Sequence, residues 1–199
     1  MTEIVFATNN QHKLNEINAL LEGKFKIIGL RDLAISEEIP EDHQTLEENA
    51  SQKAWFIHNR TGMDCFADDT GLEVEYLDGA PGVLSARYAR TGDPVYPHME
   101  PAAGNIRKLL LKLEGAGNRK ARFRTIISLI INGKEYRFEG IVEGEITGAP
   151  VGSEGFGYDP VFVPRGYDQT FAEMDLEEKN RISHRALAIH KLVQFLKKM

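Results

Sequence analysis

The sequence is short of several things, and each shortage excludes something. It has one cysteine, Cys65, among 199 residues, so no internal disulfide can form and a reducing compartment is expected. It has no long apolar run. The longest aliphatic stretch, around Ile126–Ile131, is far below the roughly 18 residues of a membrane-spanning helix. It has no surplus of positive charge: 24 lysines and arginines stand against 30 aspartates and glutamates, a formal net charge of −6. That balance argues against binding long nucleic acids, which requires surplus Lys and Arg to neutralise phosphates. It leaves room for one small anionic ligand held together with a metal. The opening residues, MTEIVFATNN, lack a basic region and run into polar residues, unlike a signal peptide. Internal repeats, low-complexity tracts and coiled-coil heptads are also missing. The expectation is a soluble, cytoplasmic chain forming a single domain over residues 1–199. At this length a chain buries roughly 70% of its unfolded surface without covalent staples.

What is present alternates between strand and helix signals. Ile4–Ala7 is apolar throughout, the pattern of a strand buried on both faces. The polar run Thr8–Lys13 leads into a helix with Leu14, Ile17, Leu20 and Leu21 on one face, stopped by Gly23. A second strand, Phe25–Leu30, completes a β-α-β opening. Thr45-x-x-Glu48 reads as a capping box for a helix that turns Leu46, Ala50, Ala54 and Ile57 inward and ends near Gly62. Cys65-Phe66-Ala67 is strand-like and is expected to end at Asp68-Asp69-Thr70-Gly71, with Leu72, Val74 and Tyr76 marking another strand. Between Gly79 and Pro101 lie Pro81, Pro94, Pro97, Gly82 and Gly92, the composition of an irregular surface excursion. A third helix carries Ile106, Leu109, Leu110 and Leu113. Arg122–Ile131 and Glu135–Val142 flank Asn132-Gly133, a strong hairpin signal. The last helix turns Ile189, Leu192, Val193 and Leu196 to the core. This order predicts an α/β fold, a mixed twisted sheet flanked by helices, with room for two lobes and a cleft.

Four segments carry chemistry. A strand-to-helix turn such as Thr8-Asn9-Asn10-Gln11-His12-Lys13 presents free backbone N–H groups and a partial positive charge, to which Lys13 adds a full one. That suits a phosphate chain, although it is no Walker loop, and an ordinary helix cap with a solvated lysine looks the same. Asp68-Asp69 sets two carboxylates side by side after an apolar strand. Alternation sends one toward a site and the other inward, and oxygen-only ligands suit Mg²⁺, which takes one or two carboxylates with waters and substrate phosphates. A strand-ending Asp turn fits equally well. Glu37, Glu38, Glu41, Asp42, Glu47 and Glu48 add nearby carboxylates, read mostly as solvent-facing or as helix N-terminal charges.

In the segment Gly152–Pro160, the aromatics Phe156 and Tyr158 suit stacking on a base and Asp159 its edge, or the same aromatics pin a turn to the core. Ser183 is a natural N-cap before His184-Arg185. A cationic Arg185 in a first helical turn opposes the helix dipole, so it needs a partner: a ligand, or a carboxylate from Glu173, Glu177 or Glu178. The other histidines (His12, His43, His58, His98 and His190) show no metal-ligand spacing, and no Ser-His-Asp or Gly-x-Ser-x-Gly pattern supports covalent catalysis.

Taken in order, these pieces resemble the inosine triphosphate pyrophosphatase family, the non-canonical purine NTP pyrophosphatases. The matching segments are Thr8-x-Asn10-x-x-Lys13, Thr45-x-x-Glu48-Asn49-Ala50-x-x-Lys53-Ala54 and Ala67-Asp68-Asp69-Thr70-Gly71-Leu72. They continue with Gly79-Ala80-Pro81-Gly82-x-x-Ser85-Ala86-Arg87-Tyr88-Ala89, Gly155-Phe156-Gly157-Tyr158-Asp159-Pro160-x-Phe162 and Ser183-His184-Arg185-x-x-Ala188. The resemblance implies an elongated two-lobed α/β fold with a central nucleotide cleft, usually a homodimer. It implies Mg²⁺-dependent hydrolysis of ITP, dITP and XTP to the monophosphate and pyrophosphate.

Carried onto this chain, Thr8, Asn9, Asn10, Gln11, His12 and Lys13 hold the phosphates with help from Lys53. Asp69 is the metal-linked proton acceptor, with Asp68 and Glu41 as further metal ligands. Thr70 touches substrate, and Phe156, Gly157, Tyr158, Asp159, Lys179, His184 and Arg185 form the base pocket. The stretches Thr91–Gly104 and Pro40–His43 depart from the family pattern. A non-catalytic nucleotide sensor is the alternative class, and the retained Asp68-Asp69 and Lys13 argue against it.

Overall fold

The computed structural model describes residues 3–21, 25–37, 39–92, 94–96 and 98–198. Its elements, in chain order, are β1 (Glu3–Phe6), α1 (Gln11–Leu21), β2 (Lys26–Gly29), α2 (Leu46–Thr61), β3 (Cys65–Val74), β4 (Pro81–Gly82), α3 (Pro101–Lys112), β5 (Lys120–Ile131), β6 (Lys134–Ile146), β7 (Phe162–Pro164), α4 (Leu176–Ile182) and α5 (His184–Leu196). Strands pair in the order β2-β1-β3-β5-β6-β7, with β4 on β3. β1 runs parallel to β2 and β3, whereas β4 and β7 are antiparallel to their neighbours, so the sheet is mixed as predicted. The chain divides into two compact units, one of residues 1–69, 125–140 and 184–199, the other of residues 70–124 and 141–183.

In the first unit, period-two alternation explains why Ile4–Ala7 is apolar throughout, since both faces of the strand are covered. Ile4 and Phe6 pack with Ile17 and Leu21 of α1 and with Ile189 and Leu192 of α5. Val5 and Ala7 face the other way, against Ala54 and Ile57 of α2 and Ile130 of β5. Each buried Val, Leu, Ile or Phe among them contributes about 1.5–3 kcal/mol by leaving water.

Helix α2 is bounded as its sequence predicts. The Thr45 hydroxyl accepts from the Glu48 N–H at 3.2 Å, and Gly62 closes the helix in the left-handed region with its N–H on the His58 carbonyl. The Glu48 carboxylate returns to the Thr45 hydroxyl at 2.8 Å, a side-chain version of the box. Cys65 is fully buried, its thiol 3.2 Å from the Ala54 carbonyl oxygen; burial, then the Asp64 charge, push its pKa up to about 12. The residue expected to stop α1, Gly23, lies outside the described residues, as do Glu38 and Pro97.

In the second unit, Leu72, Val74, Leu109, Phe123, Phe162 and Phe171 form the core. The Phe123 and Phe162 rings meet edge-on at 4.7 Å between centroids. Two expectations need correction. The strand does not end at Asp68-Asp69: β3 runs unbroken through Val74, and the chain passes from the first unit to the second between Asp69 and Thr70. Leu72 and Val74 continue that same strand, while Tyr76 falls in a 3₁₀ turn, Glu75–Leu77, and is exposed.

The segment after Gly79 is not purely a surface excursion either. β4 pairs with β3, and a 3₁₀ stretch, Ser85–Arg90, buries Ser85, Tyr88 and Ala89. Polar side chains hold it in place. The Ser85 hydroxyl accepts from the Leu72 N–H at 2.9 Å and donates to the Gly82 carbonyl at 2.6 Å. Asn105 accepts from the Ala89 N–H at 2.6 Å and donates to the Ser85 carbonyl at 3.1 Å. Ser183 sits at the joint between α4 and α5 and closes α4, its N–H on the Lys179 carbonyl. Among the described residues no helix is long and apolar enough to cross a membrane.

Candidate active site

The turn from β1 into α1 is built by its own side chains. The Thr8 hydroxyl accepts from the Asn10 N–H at 3.2 Å, and the Asn10 amide oxygen accepts from the N–H groups of His12 and Lys13 at 3.0 and 3.3 Å. Asn10 therefore caps α1, which aims Lys13 from the first helical turn along the end of β1. Asn9 to His12 are exposed, while the Lys13 side chain is only 16% exposed and its ammonium lies 2.8 Å from Asp68 Oδ1. Beside the turn lies a hollow of about 200 Å³ lined by Thr8, Asn9, Gln11, Gly29, Arg31 and Asp32.

Asp68 is buried and carries a second cation: Arg185 Nε lies 3.4 Å from Oδ2, and Arg185 Nη1 donates to Glu16 Oε2. Burial opposes the charge on Asp68, but Lys13 and Arg185 outweigh it and hold the carboxyl well below the usual carboxylate range. The unusual cation at the start of α5 is thus compensated by Glu16 and Asp68, rather than by Glu173, Glu177 or Glu178. Glu16 was not legible as a site residue, although its place three residues after Lys13 puts both on one face of α1.

Asp69 is held separately. Lys53 Nζ, on α2, donates to Asp69 Oδ1 at 2.9 Å and to Glu41 Oε1 at 2.5 Å, and Asn49 Nδ2 approaches Asp69 Oδ2 at 3.4 Å. Burial raises the Asp69 pKa against the pull of Lys53, which leaves the carboxylate more basic than an exposed aspartate. Burial works against the charge on Lys53 as well, but Asp69 and Glu41 prevail and raise its pKa. Two neighbouring carboxylates in one strand are tolerated because each has its own lysine, and this explains why β3 does not stop there.

The donor chemistry fits a hard divalent cation. Asp69 and Glu41 are oxygen donors already converging on one positive charge, and the Glu41 side chain is 36% exposed. Two carboxylates are what Mg²⁺ takes before waters and phosphates complete its shell. Among the described residues no group of three or more His, Cys, Asp or Glu is arranged to hold a metal. Asp68 fits less well, because its two oxygens face Lys13 and Arg185.

Most of the remaining candidates lie in the second unit. Asp159 Oδ2 accepts from Lys179 Nζ at 2.7 Å and from the Phe156 N–H at 2.8 Å, with both charged side chains buried. Lys179 Nζ also stands 5.0 Å from the Phe156 ring centroid. Gly155 has φ +73, and a Cβ there would come within 2.1 Å of Asp159 Oδ2, so only glycine permits this turn. Tyr158 belongs to the core, its hydroxyl on the Ser85 carbonyl at 3.0 Å. Within the turn, Phe156 and Gly157 are half-buried and Tyr158 and Asp159 are held inside; Thr70 is also half-buried. His184 and Arg185 are buried at the start of α5, in the first unit. A concavity of the second unit, of about 1130 Å³, is lined by residues such as Glu73, Arg122, Glu143 and Arg165, none of them a candidate.

Comparison with known proteins places these arrangements in context. The model of the Ham1 family matches residues 4–195. The chain is 55% identical over 197 residues to the dITP/XTP pyrophosphatase of Porphyromonas gingivalis, covering 98% of each protein. It is 47% identical over 194 residues to the dITP/XTP pyrophosphatase of Flavobacterium johnsoniae, covering 98% of this chain and 97% of the relative. Among solved structures, the Ham1 protein of Staphylococcus aureus superimposes with a TM-score of 0.85 at 38% identity over 99% of both chains. A HAM1 protein from Coxiella burnetii does so with a TM-score of 0.86 at 38% identity over 100% of both.

Proposed function

Since the chain belongs to the Ham1 family, we propose that it hydrolyses non-canonical purine nucleoside triphosphates (dITP, XTP and ITP) to the monophosphate and pyrophosphate, using Mg²⁺, and so cleanses the nucleotide pool. The observation that carries this reading is the pair of adjacent carboxylates in mid-strand, each on its own lysine: Asp68 on Lys13 and Asp69 on Lys53.

Hydrolysis at the α-phosphorus needs a water relieved of its proton and a pyrophosphate relieved of its charge. Asp69 takes the proton, a role its burial-raised basicity favours and one typically worth about 10²–10⁴ in rate. Lys13 and the turn from Thr8 to Lys13 hold the phosphate chain, and positioned donors of this kind are worth about 3–4 kcal/mol each when aimed at developing charge. Mg²⁺, when held by Asp69 and Glu41, supplies further neutralisation of the phosphate oxygens. Asp68, locked between Lys13 and Arg185, orients the lysine.

Lys53 holds Asp69 and Glu41 together, and with a cation held by those carboxylates its ammonium would be available to a phosphate oxygen. Base recognition is assigned to Phe156, Gly157 and Lys179, donors and a ring face suited to a 6-oxopurine, with His184 as a further donor. A site built on such hydrogen bonds discriminates strongly, because a mismatched base strands buried polar groups.

The test is a substrate panel. Purified protein with Mg²⁺ is expected to convert ITP, dITP and XTP to the monophosphate and pyrophosphate far faster than it attacks GTP or ATP. Release of orthophosphate, or equal rates on the canonical triphosphates, overturns the reading. Full activity in excess EDTA overturns the metal assignment.

A further inference from the structure

Residues 41–43 have no helix or strand of their own, yet Glu41 sits at a fixed distance from Lys53. What holds them is a row of side chains on α2. The Asn49 amide accepts from the His43 N–H at 2.9 Å and donates to the His43 carbonyl at 3.3 Å. The Gln52 amide accepts from the Asp42 N–H at 3.1 Å and donates to Asp42 Oδ2 at 3.0 Å. Three loop residues in succession, 43, 42 and 41, are thus met by Asn49, Gln52 and Lys53. The helical repeat puts Asn49 at i, Gln52 at i+3 and Lys53 at i+4, all on one face.

We propose that Asn49 and Gln52 are positioning residues that clip the loop to α2, so that Glu41 stands beside Asp69 ready to share a divalent cation. Neither needs to touch substrate or metal. An unclipped loop would have to be ordered each time the cation binds, and that ordering is paid out of the binding free energy. Asn49 is almost fully buried and also approaches Asp69, so its loss would disturb the fold and the proton acceptor together. Gln52 is half-buried and contacts the loop without contacting Asp69, which makes it the cleaner probe. The proposal rests on the functional reading above only where it concerns the metal.

The experiment compares wild type, Gln52→Ala, and the exchanged pair Gln52→Glu with Asp42→Asn, in which acceptor and donor trade places across the same contact. Three quantities are read: backbone hydrogen exchange at residues 42 and 43, Mn²⁺ affinity by electron paramagnetic resonance without nucleotide, and turnover against Mg²⁺ concentration. One neutral hydrogen bond and one to the exposed Asp42 carboxylate, lost together, correspond to about a 5- to 30-fold effect. Gln52→Ala is therefore expected to exchange faster at 42 and 43, to bind Mn²⁺ about 5- to 30-fold more weakly, and to need correspondingly more Mg²⁺ for half-maximal rate. Its melting temperature and its kcat at saturating Mg²⁺ should stay near wild type, and the exchanged pair should recover affinity.

Unchanged Mn²⁺ affinity in Gln52→Ala, alongside normal wild-type turnover, overturns the positioning role and leaves the functional reading standing. Wild type that neither binds Mn²⁺ nor turns over overturns both. Affinity that the exchanged pair fails to restore also counts against the clip.

Discussion

At the scale of single residues, the two aspartates do different work, and separate measurements distinguish them. Asp69→Asn keeps the shape and removes the proposed proton acceptor. Its kcat on ITP is expected to fall by about 10²–10⁴, while nucleotide binding, followed by calorimetry, persists. Asp68→Asn instead leaves Lys13 and Arg185 facing a neutral amide in a buried place. Breaking one partner out of such a network costs about 3–5 kcal/mol, read as a lower denaturation midpoint near neutral pH.

The pH dependence follows from the sign of the shift. The folded-state pKa of Asp68 is depressed, so its contribution to stability is present above the unfolded-state value, about 4, and is lost as pH falls below it. The stability difference between wild type and Asp68→Asn should therefore be widest near neutrality and shrink below about pH 4. A difference that stayed constant into acid would rule this account out. The sequence shows that Asp68-Asp69 needs cations, but not which ones. Lys13 precedes Asp68 by 55 positions and Arg185 follows it by 117, and no local pattern links such residues.

At the scale of elements, boundaries set by near neighbours are legible in the sequence, whereas the alternation through Tyr76 did not mark a strand there. The cap residues of α2 and the Asn132-Gly133 turn between β5 and β6 depend on neighbours a few residues away. Elements decided by distant contacts were not legible. β7 is three residues long and α4 seven, too short for periodicity to show. The extent of β3 depends on ion pairs made by other elements. Close packing between elements is also hidden in sequence, and Gly140 illustrates it. A Cβ there would lie 1.9 Å from the His184 carbonyl oxygen and 2.7 Å from the Ala188 nitrogen, so β6 and α5 touch backbone to backbone. Gly140→Ala must push α5 away, at a cost of about 1–3 kcal/mol or more, and a melting temperature equal to wild type would contradict this packing.

For the whole molecule, neither unit is a continuous stretch of chain. The first gathers three segments and the second two. α5 comes last in the sequence, yet Ile189 and Leu192 pack with Ile4 and Phe6 near the chain start. Removing residues from His184 onward is therefore expected to abolish cooperative unfolding of the first unit, rather than trim a dispensable tail. Far-ultraviolet dichroism during thermal denaturation would show it, and a truncated protein that melts like wild type would refute it. The α/β class and a core helix at the end were legible because they follow from hydrophobic period. Two lobes were expected from the order of elements and from the family resemblance, but which segments make up each unit was not legible, since it depends on which distant segments pack together.

Cys65 is the single cysteine of the chain and is fully buried in the core. Its burial also makes the protein a quiet background for chemical labelling. With the thiol pKa at about 12 and no exposed surface, Cys65 will not compete for maleimide or nitroxide reagents in the native state. A cysteine introduced at exposed Arg31 in the first unit and another at exposed Tyr167 in the second can thus be labelled without first removing the native one. Measuring the distance between the two labels with and without nucleotide and Mg²⁺ then tests in solution whether it changes at all.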